Sequence, residues 1–158
     1  MYDARSVANE FLRKAQESGR TLTNMQLQKL VYIAHGYTLA ILHYSLIKQS
    51  VEALRYGPVI SDLYHALRQY GAGVVREPIN RISRETISET DQALIASVLN
   101  AYGRFSGTQL STMTHREGTP WHEVFNPHAF FNNDQISNDL IQKHYIKLLH
   151  DRAGITPA

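Results

Sequence analysis

The chain has 158 residues, 43% of them hydrophobic and 19% charged, with a formal charge of +2. That balance suits a folded soluble domain and excludes wholesale disorder. The absence of cysteine excludes disulfides and thiolate metal sites, and it fits the reducing cytoplasm where we expect the protein to work.

The longest apolar stretch, LVYIAHGYTLAILHY, carries His35 and Gly36 and falls short of the roughly 18 residues of a membrane span. The N-terminal residues lack the apolar run of a signal peptide, so no membrane association is expected. Basic residues are scattered, with Arg13-Lys14 the sole adjacent pair, so the stripe that tracks phosphates is missing and nucleic acid is not the expected partner. The length suits one domain, expected over residues 1–150, with a frayed tail over 151–158.

The pattern along the chain is helical. Val7, Phe11 and Ala15, flanked by Ala8 and Leu12, form the stripe of a first helix that Gly19 ends. Thr23 and Gln26 make a capping box for a second helix. Its inner face carries Leu27, Leu30, Val31, Ala34, Thr38 and Ile41, and Ile33, Tyr37 and Leu42 widen it. Such breadth predicts a central helix packed on several sides. Gly36 within it predicts a close helix crossing, since glycine there costs about 1 kcal/mol relative to alanine.

Residues 45–57 lack a helical stripe and predict a short extended segment or hairpin, near 45–56. Pro58 is read as the first residue of a third helix, with Val59, Leu63, Leu67 and Tyr70 inward and Gly71 and Gly73 at its end. Residues 74–89 are polar and proline-broken, a surface connection. A fourth helix from about Thr90 points Leu94, Ile95, Val98, Leu99 and Tyr102 inward, and Gly103 stops it. Ser106 and Gln109 form a second capping box for a short helix ending at Gly118. Thr119-Pro120 opens another short turn that gathers Trp121, Val124 and Phe125. Residues 126–136 are read as a loop, after which Ser137 caps a last helix burying Leu140, Ile141, Tyr145, Leu148 and Leu149. The fold expected is mainly α: a compact bundle of five to six helices around a central apolar one, with one short β-hairpin.

The chemistry-bearing residues concentrate in GTQLSTMTHREGTPWHEVF. His115, His122 and His128 are spaced by seven and six, which fits no helical or finger-type metal pattern. HEVFN begins like a zinc-peptidase motif and lacks its second histidine. No cysteine nucleophile, GxSxG turn, P-loop or GxGxxG is present. We therefore expect no metal and no cofactor. A hydrolase or nuclease using His115, Glu117 and His122 in acid-base roles would need those side chains to converge on one open site. The competing reading is structural: a His-Arg-Glu run capping a helix end, with Trp121 as an apolar plug whose N–H needs one acceptor.

Two segments carry a family resemblance. LQKLVYIAHGYTLAIL through VEALRYGPVISDLYHALRQYG resembles the Panacea domain of SocA-like antitoxins and their phage-associated relatives. FSGTQLSTMTHREGTPW resembles the signature of the same family that runs from Ser-Gly through Thr-His to Pro-Trp. Order and spacing agree over residues 7–125. Leu54 stands where the family usually has tryptophan, and HYSLIKQ replaces a Gly-x-Pro-Leu turn, departures that bear on the hairpin's shape.

The resemblance implies a non-enzymatic antitoxin that neutralises a cognate protein toxin by direct binding. Its alternative within the family is a proteolytic adaptor that delivers the toxin to a protease. Matched signature positions are Tyr56, Gly57, Pro58, Thr114, His115, Glu117, Pro120 and Trp121, expected to scaffold one groove. Tyr2, Tyr44, Tyr56, Tyr64 and the pair Phe130-Phe131 are the aromatic anchors expected for a partner.

Overall fold

The computed structural model describes residues 1–80, 84–128 and 134–152, so Phe130, Phe131 and the expected tail from residue 153 onward lie outside the described residues. Its centre is helix α2 (Asn24–Leu42). The capping box forms as the sequence predicts, with Gln26 N–H donating to Thr23 Oγ1 (3.2 Å) and Thr23 N–H to Gln26 Oε1 (2.8 Å). Every residue from Leu27 to Ala40 is buried. Each large aliphatic side chain there contributes about 1.5–3 kcal/mol, which makes α2 the post around which the rest is arranged.

Ile41 corrects the expected inner face, because it is 48% exposed. α2 leaves the core in its last turn, where Ile41, His43 and Tyr44 are all exposed, and His43 ends the helix in the left-handed conformation (φ 63°).

The other elements wrap α2. Helix α1 (Ala4–Glu17) buries the predicted Val7, Ala8, Phe11 and Ala15. After α2 come β1 (Val51–Leu54) and β2 (Gly57–Val59), then α3 (Ser61–Leu67) and a 3₁₀ turn over Arg68–Tyr70 that Gly71 closes at φ 54°. Helices α4 (Glu89–Tyr102), α5 (Gly107–His115) and α6 (Pro120–Val124) follow, and β3 (Gln135–Ile136) leads into α7 (Asn138–Arg152). The sheet order is β2-β1-β3, with both neighbours antiparallel to β1. Among the described residues the fold is thus mainly α with one small sheet, and no described helix is long and apolar enough to cross a membrane.

Three boundaries differ from the sequence reading. Pro58 does not start α3; it pairs with Ala53 inside β2, and the helix begins three residues later at Ser61. β2 is an edge strand, where proline's missing N–H breaks no ladder, and the Pro58 carbonyl is held by a side chain of α2. Residues 135–136, read as loop, extend the sheet instead, in a pairing too short to leave a period in the sequence. Helix α5 also stops at His115 rather than Gly118, because Arg116 turns extended (ψ 171°) toward the Thr119 cap of α6.

The crossing expected at Gly36 is made by α7. A Cβ built on Gly36 would stand 2.3 Å from two ring carbons of Tyr145. The Tyr145 ring lies between Tyr37 (centroids 4.8 Å apart) and Tyr32 (6.1 Å), and the Tyr37 and Tyr102 hydroxyls meet at 2.6 Å. Ser137 caps α7, accepting from Leu140 N–H at 3.2 Å.

Candidate functional site

On one flank of α2 the chain departs from apolar packing. Gln28 and Lys29 follow Leu27 inside a helix buried on every side, and Lys29 is only 4% exposed. Its ammonium donates to the Pro58 carbonyl (2.9 Å) and takes part in none of the ion pairs among the described residues. Burial without a carboxylate disfavours the charged form and lowers the pKa of Lys29 to about 8. The Gln28 amide and the Tyr32 hydroxyl, also on α2, are buried without a protein partner.

The hairpin lies over Lys29. Leu54 pairs with Gly57, so Arg55 and Tyr56 form a two-residue turn. Gly57 adopts φ 122°, and a Cβ there would sit 3.2 Å from Lys29 Nζ and 3.5 Å from His115 Cβ. The positive φ favours glycine there, and the space beside it is tight.

Helix α5 also supports the hairpin. Its Ser106–Gln109 capping box forms at 3.1 and 2.8 Å. Ser111 Oγ donates to the Tyr56 carbonyl (2.9 Å), while His115 Nδ1 meets the Ser111 carbonyl one turn back along the helix. Thr114 is buried and turns its hydroxyl to the Leu110 carbonyl (2.9 Å). Thr119 caps α6 and Pro120 takes its first position. The cap directs Trp121 inward: its indole N–H donates to the Leu54 carbonyl, its ring stacks on Phe125 (4.6 Å, 15°), and the His115 imidazole meets it edge-on at 5.2 Å.

The structure therefore brings Tyr56, Gly57, Pro58, Thr114, His115, Pro120 and Trp121 into one knot. Glu117 is outside it, exposed in the turn between α5 and α6. His122 is also exposed, and no hydrogen bond or ion pair among the described residues joins His115, Glu117 and His122. Among the described residues no group of His, Asp and Glu is arranged to hold a metal.

Sequence reasoning missed Lys29 and Ser111. The signal for Lys29 was present: a polar pair interrupting an otherwise apolar helix asks what partner waits for it. Ser111 carries no such mark, because serine on a short helix reads as solvent-facing.

The aromatic candidates differ in what their side chains meet, although Tyr44 is as exposed as Tyr64. Tyr56 is 71% exposed at the hairpin turn, with the Arg55 guanidinium 5.6 Å from its ring centre. Tyr64 is exposed on α3 beside His65. Tyr2 and Tyr44 send their hydroxyls to the same buried carboxylate, Asp91, at 2.7 and 2.6 Å. These bonds fix the start of the chain against α4, and the Asp91 bond raises the Tyr44 pKa to about 12.

Residues 27–122 match the family described as antitoxin SocA-like, Panacea domain. Antitoxin SocA of Caulobacter vibrioides (strain NA1000 / CB15N) is 34% identical over 136 residues, covering 78% of this chain and 71% of that protein. No solved structure matches the chain. The matched span opens two residues before Lys29 and closes one residue after Trp121, so it contains the whole knot.

Proposed function

Because the chain belongs to the SocA-like antitoxin family with the Panacea domain, we propose that it neutralises a protein toxin by binding it directly, with the hairpin turn as an anchor. The exposed Tyr56 carries this reading. A large aromatic side chain stands in solvent on a turn whose neighbouring backbone is held by Lys29, Ser111 and Trp121. An aromatic on a fixed backbone has little freedom left to lose on binding, and a flanking arginine is the other residue type that dominates interfaces.

Holding an enzyme inactive in a cell calls for nanomolar affinity, about −12 kcal/mol, across roughly 1,600 Å². Tyr64 is a second exposed aromatic side chain, on α3. His115 and Trp121 act from behind, as supports of the hairpin.

Co-expression with the product of the adjacent reading frame tests the reading. A stable complex that survives purification is expected. Tyr56→Ala should weaken it by at least about tenfold while changing the folding free energy by less than about 0.5 kcal/mol. Failure to co-purify, or an unchanged affinity in the Tyr56→Ala protein, would overturn it.

A further inference from the structure

A second surface lies away from the hairpin. Helix α1 and the connection that follows the 3₁₀ turn frame a groove of about 930 Å³ to which neither β1 nor β2 contributes a residue. Residues 75–79 of this connection are strapped down. Val75 N–H donates to the Leu22 carbonyl (2.9 Å), and the Asn9 amide both donates to the Ile79 carbonyl (3.0 Å) and accepts from its N–H (2.7 Å). The side chain of α1 thereby holds Ile79 as a neighbouring strand would.

Leu12, Leu22, Val75, Ile79 and Ile87 supply apolar lining. Arg20, Arg76 and Arg84 line the groove as well, and none of them pairs with a carboxylate among the described residues, although Arg20 Nη1 donates to the Leu99 carbonyl at the end of α4 (3.4 Å). The remaining charges are mostly committed: Arg13 to Glu10 and Glu17, and Glu85 to Lys48. Among the described lining residues Glu77 is the carboxylate in no ion pair, set against three guanidinium groups that are in none.

The geometry points to a docking groove for an extended acidic segment of a partner polypeptide, with aliphatic residues against the apolar lining and carboxylates toward Arg20, Arg76 and Arg84. Guanidinium forks match carboxylates in two-point hydrogen bonds. Along α1 the lining runs from Ser6 to Gln16, roughly 15 Å of helix, which an extended chain covers in about five residues. Phosphate-bearing strands would also seek arginine. However, among the described residues no aromatic side chain lines the groove to stack a base, and Glu10 and Glu77 would repel a continuous phosphate backbone.

Fluorescence polarisation of the full chain with a labelled peptide of about eight alternating Glu and Leu residues tests the assignment. The same peptide with Gln for Glu and a single-stranded oligonucleotide of equal charge are the comparison probes. The acidic peptide should bind saturably, and both the Gln peptide and the R76E/R84E protein should lose at least about tenfold in affinity. Circular dichroism should show R76E/R84E folded as the parent, and its complex with the hairpin-bound toxin should persist, which separates this groove from the turn at Tyr56. No binding of the acidic peptide, equal binding of the Gln peptide, an unaffected R76E/R84E protein, or tighter binding of the oligonucleotide would each overturn it.

Discussion

Two joints of the fold, one between α2 and α7 and one at the hairpin, work by opposite physics. At Gly36 the joint is one of shape: Tyr145 occupies space that any side chain on α2 would claim, and tyrosine rings surround it. At Lys29 the joint is directional, made of an ammonium, a hydroxyl and an indole N–H that each seek a backbone carbonyl of the hairpin. Shape joints tolerate the loss of a polar atom and fail when volume is added. Directional joints tolerate modest changes of volume and fail when a donor is removed.

Adding volume at the first joint should have the largest effect. Gly36→Val places carbon atoms inside the Tyr145 ring, and urea unfolding should show a loss of about 3 kcal/mol or more, with little folded protein recovered. A mild effect would mean that α7 shifts on α2 more readily than the tyrosine packing implies. Removing one donor at the second joint should cost less. Trp121→Phe retains an aromatic plug but leaves the Leu54 carbonyl without its partner, for about 1–2 kcal/mol by the same measurement. If the loss instead matches that of Trp121→Ala, the indole acts through bulk and the two joints are alike.

The subtlest test uses pH. Lys29 has its pKa lowered to about 8 in the folded chain, against an ordinary value near 10.5. Between those values the unfolded chain binds more protons than the folded one, so the contribution of Lys29 to stability improves as pH rises through this window. Below about 8 the burial penalty is present in full, on the order of a few kcal/mol. Tyr32, Tyr37 and Tyr145, whose pKa values are raised, work the other way above their ordinary range near 10. The comparison is therefore cleanest between about pH 8 and 10. Stability of the parent should rise relative to Lys29→Met across that interval, and parallel curves would show that the lysine is solvated.

The parts legible in the sequence are those with local causes. Both capping boxes, the Thr119-Pro120 start of α6 and the breadth of α2 follow from residues a few positions apart. Gly36 was legible because glycine in a helix interior needs a reason, and a crossing partner is the common one. The misplacement of Pro58 has a tertiary cause. Proline suits a helix start and an edge strand equally, and Lys29, twenty-nine residues away, favours the strand. The knot itself was half legible: its signature residues stood out in number, while the lysine and the serine that join them to the hairpin did not. Glu117 stood out beside them and yet remains in solvent.

The three contacts that mount the hairpin end on the carbonyl oxygens of Leu54, Tyr56 and Pro58. A carbonyl belongs to every amino acid, so the mounting does not depend on which side chains Arg55 and Tyr56 carry. Those two positions can therefore change without disturbing the contacts that hold the turn.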